Sequence, residues 1–495
     1  MKYTSTRDSS LSYSAAKCFV QGISAEGGLF VPQNFPSMTL QDISAMAEMS
    51  YSQRAYAVLS RFLTDFSPDE LEDCIRGAYG KKFDRPDIAP LHELDARTAV
   101  LELFHGPTLA FKDVALQILP RFLKYAKAKE GEPCDILILV ATSGDTGKAA
   151  LEGFCDVDGM RIAVFFPNEG VSRMQQLQMT TQEGGNVFVC AVNGNFDDAQ
   201  TGVKRIFADA QVKEKLLQNG VKLSSANSIN WGRLVPQIVY YFSAYADWLK
   251  QGRIQAGEKI NFVVPTGNFG DILAGYYAMR MGLPVHKLVC ASNKNNVLTE
   301  FFAGGTYNAN RTFYKTMSPS MDILISSNLE RLLFELSGRD DAAVSAMMAQ
   351  LKQKGEYSIS AQMQEALKQS FAAGCADEEE TQAAIARLWK EKNYCIDTHT
   401  AVAVSVYEKY KEASGDGTPT VILSTASPYK FPRAVLTAIS GSAPEDEFAA
   451  AAVLEAMGVP MPAQIAGLKE KPVLHRGVCA KDAMAQEIFK IGDKR

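Results

Sequence analysis

One lysine, Lys112, follows a run of small and apolar residues that extends from Gly106 to Phe111, and Asp113 comes directly after it. Burial among such neighbours disfavours the charged ammonium, so the pKa of the amine falls. A neutral amine attacks carbonyl carbon atoms, which makes Lys112 a candidate nucleophile. An ordinary lysine paired with Asp113 is the alternative, and the local sequence alone favours it.

Two glycine-rich loops each lie between an apolar run and a helix pattern. One loop extends from Ala141 to Gly147, and the other extends from Pro265 to Asp271. In open α/β sheets, ligands bind at the carboxyl ends of strands, and a helix N-terminus offers unpaired N–H groups and the positive end of its dipole. Each loop is therefore a candidate site for a phosphate or a carboxylate.

Neither loop has the spacing of the common nucleotide-binding motifs. The pattern G-x-x-x-x-G-K-[ST] requires glycine at position 142 and serine or threonine at 149, where the chain has Thr142 and Ala149. The second loop does not fit G-x-G-x-x-G. Two such loops and an isolated lysine instead fit pyridoxal phosphate, the commonest aldehyde cofactor, with one loop for its phosphate and the other for an anionic group of the substrate. Glycines that only form tight turns are the alternative for either loop alone.

The composition excludes several other classes of protein. The chain has 495 residues, of which 46% are hydrophobic and 22% are charged, and its net charge is −5. No basic stripe typical of nucleic-acid binding is visible. The N-terminus shows no secretion signal, and the strongest apolar run, 136–140, is too short to span a membrane. Nine scattered cysteines predict a reduced cytoplasmic protein, and five histidines show no metal-ligand spacing.

Short apolar runs alternate with helix patterns from about residue 99 onward. Fully apolar strands between helices indicate mostly parallel sheets covered by helices on both faces, so we predict an α/β fold. The runs are DILILV at 135–140, RIAVFF at 161–166, NVFVCAV at 186–192, KINFVVP at 259–265, HKLVCAS at 286–292 and PTVILST at 419–425.

Helix signals organise the other segments. Ser67 as N-cap, Pro68 at the first helical position, Glu70 at the third and Gly80 after the end predict a helix between them. The predicted domains are an N-terminal mostly helical domain at 1–95, a large α/β domain at 96–130 and 221–440 with a helical insertion at about 328–393, a small α/β domain at 131–220, and a C-terminal helix and tail at 441–495.

The segment LELFHGPTLAFKDVALQ, which contains Lys112, closely resembles the lysine segment of threonine synthases, a family of pyridoxal-phosphate enzymes of fold type II. Further motifs similar to that family follow in order between Gly22 and Pro432, so the resemblance covers nearly the whole chain. The longer form of the family, with an N-terminal helical domain, is the more similar one. The motifs are GISAEGGLFVP, ATSGDTGKAAL, QLQMTT, VNGNFDDAQ, SANSINWGRLVPQIVYYF, PTGNFGDILAGYYA, SPSMDILISSNLERLLF and STASPYKFP.

The resemblance implies that O-phospho-L-homoserine and water are converted to L-threonine and phosphate, and that the small domain is mobile and closes over the site. Lys112 would hold the cofactor covalently and would then move protons at the α and β carbons of the substrate. Thr425 would face the pyridine nitrogen of the cofactor, and Asp145 would lie near its 3′ oxygen. The resemblance assigns the cofactor phosphate to Gly267, Asn268, Phe269, Gly270 and Asp271, and the substrate to Thr142, Ser143, Gly144 and Thr146.

For other residues in the matching motifs, the resemblance does not assign a single role. Arg233 and Gln237 are either structural or border the site, whereas Asn230 and Trp231 are interpreted as packing residues. The chain also departs from the family pattern near the expected cofactor edge. The departures are Ser427 in place of histidine, Tyr429 in place of alanine, and Thr398 in place of proline.

Two further hypotheses stay open. A relative that eliminates phosphate from phosphohomoserine or phosphothreonine and releases 2-oxobutyrate would keep the same lysine and loops. A non-catalytic protein of the same fold is disfavoured by the intact Lys112 and the intact loops. For the enzyme we expect a small-molecule substrate, no nucleic-acid or membrane partner, no metal, and a monomer or homodimer.

Overall fold

A computed structural model describes residues 1–142, 144–169 and 171–492. Its elements up to residue 129 are β1 (Tyr3–Ser5), β2 (Asp8–Tyr13), α1 (Ala15–Gln21), β3 (Phe30–Pro32), α2 (Leu40–Ala45), α3 (Tyr51–Phe62), α4 (Pro68–Tyr79), β4 (Leu91–Glu93), β5 (Thr98–Glu102), α5 (Lys112–Leu116) and α6 (Leu119–Lys129). Strands β1, β2 and β3 form an antiparallel sheet, which the sequence did not predict.

The next part of the chain alternates strictly between strands and helices. Its elements are β6 (Asp135–Ala141), α7 (Asp145–Phe154), β7 (Met160–Pro167), α8 (Arg173–Thr180), β8 (Val187–Asn193), α9 (Phe196–Ala208), α10 (Ala210–Gln218) and β9 (Val221–Ser224). The four strands are parallel, in the order β8-β7-β6-β9. Strand β9 lies beyond the predicted end of the small domain at 220, because its pairing with β6 decides which sheet it joins.

The following part of the chain contributes four strands to the larger sheet, which also contains β4 and β5. Its elements are α11 (Trp231–Leu234), α12 (Ile238–Lys250), β10 (Ile260–Pro265), α13 (Gly270–Arg280), β11 (Val285–Ser292), α14 (Val297–Gly304), β12 (Thr306–Asn308), α15 (Leu329–Leu336), α16 (Asp341–Lys354), β13 (Glu356–Ser358), α17 (Ala361–Ser370), β14 (Phe371–Cys375), α18 (Glu378–Lys392), α19 (Thr398–Ser414), β15 (Thr420–Ser424) and α20 (Pro432–Ser440). Strands β12 and β13 form a small antiparallel ribbon.

Six strands form the larger sheet, in the order β14-β11-β10-β15-β5-β4. Every pair of neighbouring strands in this sheet is parallel except the pair of β4 and β5. The predicted α/β fold is therefore confirmed. Strand β14 lies within the segment predicted to be helical, because its short FAAGC sequence carries no strand pattern. Since β10, β15 and β5 are parallel neighbours, the segments that follow them emerge at the same edge.

The predicted helix signals are realised in α4. Ser67 and Glu70 form a capping box at its start, and Gly80 follows its last residue. Helix α15, in the predicted helical insertion, buries Leu329, Leu332 and Leu333 along one side. Within the described residues, no helix is long and apolar enough to cross a membrane.

The C-terminal segment joins the smaller sheet. Its elements are α21 (Glu447–Ala456), β16 (Gly477–Ala480) and α22 (Met484–Gly492). Strand β16 is parallel to β8 and extends that sheet to five strands, and α22 packs against α9 and α10. The sequence predicted only a helix and a tail here, since a four-residue strand gives no readable pattern.

Candidate active site

Lys112 is the first residue of α5, at the carboxyl edge of the six-stranded sheet. The backbone N–H of Phe111 donates to the carbonyl oxygen of Thr425 (2.9 Å), and the N–H of Ser427 donates to the carbonyl oxygen of Leu109 (3.0 Å). Leu109 has a left-handed backbone, with φ of 62°. These bonds hold Lys112 beside the segment that follows β15, to which Thr425 belongs.

The surroundings of Lys112 lower the pKa of its amine. The side chain is 13% exposed, and its Nζ lies 3.8 Å from Oδ2 of Asp145. Burial lowers the pKa of Lys112, and the charge of Asp145 opposes that shift. The carboxylate of Asp113 instead accepts hydrogen bonds from the backbone N–H (2.8 Å) and hydroxyl (2.7 Å) of Thr108, and burial raises its pKa to about 6. An ordinary Lys112–Asp113 pair does not fit this geometry.

Asp145 begins α7 and pairs with a second lysine, Lys430, to which the sequence assigned no role. Nζ of Lys430 lies 2.8 Å from Oδ1 of Asp145 and donates to Oε1 of Gln178 at 3.1 Å. Burial would raise the pKa of Asp145, but the charges of Lys430 and Lys112 hold it well below its usual range. Asp145 and Gln178 lie on helices of the five-stranded sheet, so both lysines connect the two sheets.

The loop between β10 and α13 has the geometry of an anion site. Phe269 is the N-cap and has a left-handed backbone, with φ of 62°, and α13 begins at the next residue. The carbonyl oxygen of Asn268 accepts hydrogen bonds from the backbone and side-chain N–H groups of Asn328, each at 3.0 Å, and that of Gly267 accepts one from Ser326 (2.7 Å). These hydrogen bonds fix the conformation of the loop. The N–H groups of the first turn of α13 have no carbonyl partner within the helix, so they are suited to bind an anion.

The carboxyl group of Asp271 has partners of its own. It accepts hydrogen bonds from the hydroxyls of Tyr240 and Tyr241 on α12, the second at 3.0 Å. Burial raises the pKa of Asp271 to about 6. A carboxylate repels a phosphate, so the backbone N–H of Asp271 is the group suited to the cofactor phosphate.

Thr142 organises the loop between β6 and α7. Its hydroxyl oxygen accepts hydrogen bonds from the N–H groups of Gly144 and Gly147, both at 3.1 Å. Thr146 lies in the first turn of α7 and is half-buried. Ser143, also predicted to bind the substrate, lies outside the described residues. The loop therefore presents a helix N-terminus next to Asp145, close to Lys112.

Three residues extend this polar network without having been predicted. The N–H of Ser320 donates to Nε2 of His399 (3.1 Å), and Nδ1 of His399 lies 2.7 Å from Oδ2 of Asp397. The hydroxyl of Ser320 lies 3.4 Å from Oδ2 of Asp145. Ser320 belongs to the motif SPSMDI, whose resemblance to the family could have drawn attention to it. Nothing in the sequence shows, however, that Ser320 contacts α7.

Two of the three departures from the family pattern, Ser427 and Tyr429, belong to the turn that carries Lys430. Ser427 is the N-cap of this 3-10 turn, and its hydroxyl oxygen accepts a hydrogen bond from the N–H of Tyr429 (3.3 Å). The hydroxyl of Tyr429 donates to the carbonyl oxygen of Val459 (2.7 Å). Both residues therefore position Lys430, and Thr398 is the first residue of α19.

The motif NWGRLVPQ forms α11 and the turn after it. Asn230 is the N-cap of α11, and Trp231 is fully buried in the core. Arg233 is buried and donates from Nη1 to the carbonyl oxygen of Ala226 (2.6 Å). The side-chain amide of Gln237 donates to the carbonyl oxygen of Arg233 (2.6 Å). The structure thus gives Asn230 and Trp231 packing environments and places Arg233 inside the molecule.

These residues fit pyridoxal phosphate. The aldehyde of this cofactor requires a nucleophilic amine, and Lys112 is a buried lysine with a lowered pKa. The phosphate of the cofactor requires an anion site, and the loop 267–270 at the start of α13 is suited to be one. Lys112 follows β5 and the loop follows β10, and these two parallel strands lie on either side of β15, so both emerge at the same edge of the six-stranded sheet. The fold and this site define a pyridoxal-phosphate-dependent enzyme of fold type II.

Comparisons with known proteins agree with the class of pyridoxal-phosphate-dependent enzymes and identify one family within it. Three family profiles match: "Threonine synthase N terminus" at residues 2–79, "Pyridoxal-phosphate dependent enzyme" at 88–353, and "Threonine synthase, C-terminal" at 400–486. A threonine synthase from Pseudomonas aeruginosa is 40% identical over 448 residues, which are 90% of this chain and 92% of that protein. The chain belongs to the threonine synthase family.

Two more relatives describe the extent of the likeness. The crystal structure of a pyridoxal-phosphate-bound threonine synthase from Brucella melitensis has a TM-score of 0.89 and 40% identity, with all of both chains covered. Threonine synthase-like 1 from Homo sapiens is 40% identical over 434 residues, which are 86% of this chain but 58% of that longer protein. The likeness therefore includes the whole fold.

We predict that Gly267→Ala weakens cofactor binding by about tenfold or more, because added volume in a packed site costs roughly 1–3 kcal/mol. A Cβ at this position would lie 2.7 Å from the carbonyl oxygen of Ser320. Gly304→Ala is the matched control, since no heavy atom in the described part of the chain lies within 4 Å of its added Cβ. Titration of the apoprotein with pyridoxal phosphate measures both affinities. Equal affinities for the two variants would contradict the role of Gly267.

Proposed function

We propose that this chain converts O-phospho-L-homoserine and water to L-threonine and phosphate. The observation that carries the proposal is Lys112, which lies with a lowered pKa between two loops that each end at a helix N-terminus. One loop suits the cofactor phosphate, and the other suits an anionic group of an amino-acid substrate. Membership of the threonine synthase family supports the choice of substrate and product.

Lys112 is the proposed acid and base. Its lowered pKa makes the neutral amine more available than in an ordinary lysine, so that it would take a proton from the α carbon and return protons to the substrate. Pyridoxal phosphate, when bound, supplies the electron-withdrawing ring that makes such proton removal possible. The loop 267–271 would hold its phosphate, and Thr425 would hold its ring nitrogen.

Asp145 and the loop around it would complete the site. The start of α7 would bind the substrate with Thr142, Gly144 and Thr146, and Asp145 would lie near the 3′ oxygen of the cofactor. Lys430 keeps Asp145 ionised at neutral pH. Because Lys430 also bonds Gln178 on α8, we propose that these contacts exclude water when the smaller sheet closes on the larger one.

Product analysis tests the proposed reaction. Purified holoenzyme incubated with O-phospho-L-homoserine is expected to release L-threonine and phosphate in equal amounts. Release of 2-oxobutyrate as the main product, from phosphohomoserine or phosphothreonine, would replace the proposal with a phospho-lyase. Failure to bind pyridoxal phosphate would contradict both reactions.

The proposal includes the cellular compartment and the oligomeric state of the protein. We expect a cytoplasmic enzyme that acts as a monomer or homodimer on a small molecule, without a metal ion. All nine cysteines are free, which suits a reducing compartment. Light scattering of the purified chain would distinguish the monomer from the homodimer.

A further inference from the structure

Arg331 on α15 is a fully buried arginine whose side chain bonds only neutral acceptors in the described part of the chain. Its guanidinium donates from Nε to the carbonyl oxygen of Phe30 (2.9 Å), from Nη2 to that of Ile229 (2.6 Å), and from Nη1 to Oδ1 of Asn328. Burial lowers the pKa of Arg331 to about 10. A buried charge is costly unless an opposite charge accompanies it.

The carboxylate next to Arg331 in the chain has other partners. Glu330 accepts hydrogen bonds from the hydroxyl of Thr6 (2.6 Å) and from Nε (2.8 Å) and Nη2 (2.7 Å) of Arg7. Thr6 and Arg7 form the turn between β1 and β2. Glu330 therefore offsets the charge of Arg7, where the N-terminal sheet docks on α15. Among residues 1–142, 144–169 and 171–492, no carboxylate forms an ion pair with Arg331.

Asn328 connects Arg331 to the loop that precedes α13. Its backbone and side-chain N–H groups both donate to the carbonyl oxygen of Asn268, each at 3.0 Å, while its Oδ1 accepts from Arg331. A Cβ added to Gly270, the first residue of α13, would lie 3.4 Å from Nδ2 of Asn328. The guanidinium is thus separated by one side chain from the N–H groups that suit the cofactor phosphate.

The same guanidinium connects this loop to two other segments. Phe30 is the first residue of β3 in the N-terminal sheet, and Ile229 lies directly before the N-cap of α11. Three directional bonds from one planar group fix the relative positions of their acceptors. The N-terminal sheet can therefore support the cofactor loop through Arg331.

We infer that Arg331 is a positioning residue for the phosphate of pyridoxal phosphate, an inference that rests on the proposed role of the loop 267–271. Arg331 holds Asn328 against the loop, and its charge attracts the phosphate from behind the loop. Opposite charges attract each other more strongly in the protein interior than in water, so a bound phosphate offsets part of the cost of burying the guanidinium. Arg331 itself does not contact the phosphate, since Asn328 and the loop lie between them.

The experiment compares the full-length apoprotein with its variants Arg331→Met and Arg331→Lys, and with Arg339→Met as the matched control. Arg339 follows α15 and also donates to β3, at the carbonyl oxygen of Pro32 (2.6 Å), but it forms an ion pair with Glu335 at 2.7 Å. Arg339→Met therefore removes a bond to the same strand without altering the contacts of Asn328. Absorbance titrations give the dissociation constants of pyridoxal phosphate and of pyridoxal, which lacks the phosphate.

For Arg331→Met we expect pyridoxal phosphate to bind about 10- to 100-fold more weakly, the effect of losing a hydrogen bond to a charged group. Pyridoxal should bind within about threefold of its affinity for the unaltered chain, because it lacks the group on which Arg331 acts. Arg331→Lys should lose less, since it keeps the charge without the three directional bonds. The phosphorus NMR resonance of the bound cofactor should shift in Arg331→Met.

Arg339→Met should lower the melting temperature and keep the ratio of the two affinities and the phosphorus resonance. A purely structural role of Arg331 would weaken the binding of pyridoxal phosphate and pyridoxal equally, and that result would overturn the inference. An unchanged affinity for pyridoxal phosphate would overturn it as well. If Arg331→Met does not fold, the ratio of the two affinities in Arg331→Lys decides the question.

Two further outcomes separate this inference from the proposals on which it rests. If Gly267→Ala loses the preference for pyridoxal phosphate over pyridoxal but Arg331→Met keeps it, the loop assignment stands and the inference about Arg331 fails. If the holoenzyme releases no threonine but Arg331→Met alters the ratio of affinities, the proposed reaction fails and the inference is supported.

Discussion

Lys112→Ala is expected to lower threonine formation by about 10⁴-fold, the upper range for loss of a positioned acid or base. The variant also lacks the amine that attaches the cofactor, so the absorbance band of covalently held pyridoxal phosphate should disappear. Removing a charge that is largely desolvated should not unfold the protein. Absorbance spectra and a threonine assay of the same samples measure both effects.

Lys124→Ala is the control for Lys112→Ala. Lys124 is an exposed lysine on α6, the next helix along the chain, and touches neither loop. It should keep the absorbance band and full activity. If Lys112→Ala retained the band, another lysine would hold the cofactor, and Lys430 would be the first to examine because it shares Asp145.

Lys430→Met is expected to lower the free energy of unfolding by about 3 kcal/mol, because it leaves a buried carboxylate without its close partner. Asp145 would then keep the more distant Lys112, 3.8 Å away, as an ion-pair partner. Chemical denaturation at pH 7 measures the loss. The same variant should weaken substrate binding, since Asp145 begins the helix that carries the substrate loop.

A double-mutant cycle with Asp145→Asn isolates the contribution of the pair. In the Asp145→Asn background, Lys430→Met should cost much less, since no carboxylate is left without a partner. The pH dependence has a defined sign: the folded pKa of Asp145 is depressed, so the pair's contribution is present above the unfolded pKa of about 3.9 and is lost as the pH falls through the folded pKa. A cost of Lys430→Met that is the same in both backgrounds would contradict the pairing.

The sequence by itself determined the class of fold and singled out Lys112 as the candidate nucleophile. Six apolar runs became strands β6, β7, β8, β10, β11 and β15, because full burial between helices leaves a continuous apolar pattern. The helix after Ser67 was readable because capping depends on residues three apart. Lys112 and the loops were readable because a lone charge and clustered glycines are local features.

The sequence did not show whether a site residue presents its backbone or its side chain to a ligand. Asp271 belongs to the loop predicted to bind the cofactor phosphate, yet its carboxyl group accepts hydrogen bonds from Tyr240 and Tyr241, some thirty residues earlier in the chain. The same limit applies to strand membership. Strands β14 and β16 are short and lack a distinctive pattern, so only their pairing with β11 and β8 identifies them.

Only the tertiary structure decided which charges meet. Lys430 and Asp145 are far apart in the sequence, and their pairing follows from the order of strands in the larger sheet and from the way the smaller sheet packs on it. Arg233 could be named as a candidate from its motif, but its burial appears only in the folded chain. The physical reason is that desolvation and charge pairing depend on all neighbours in space, whereas a sequence records only neighbours along the chain.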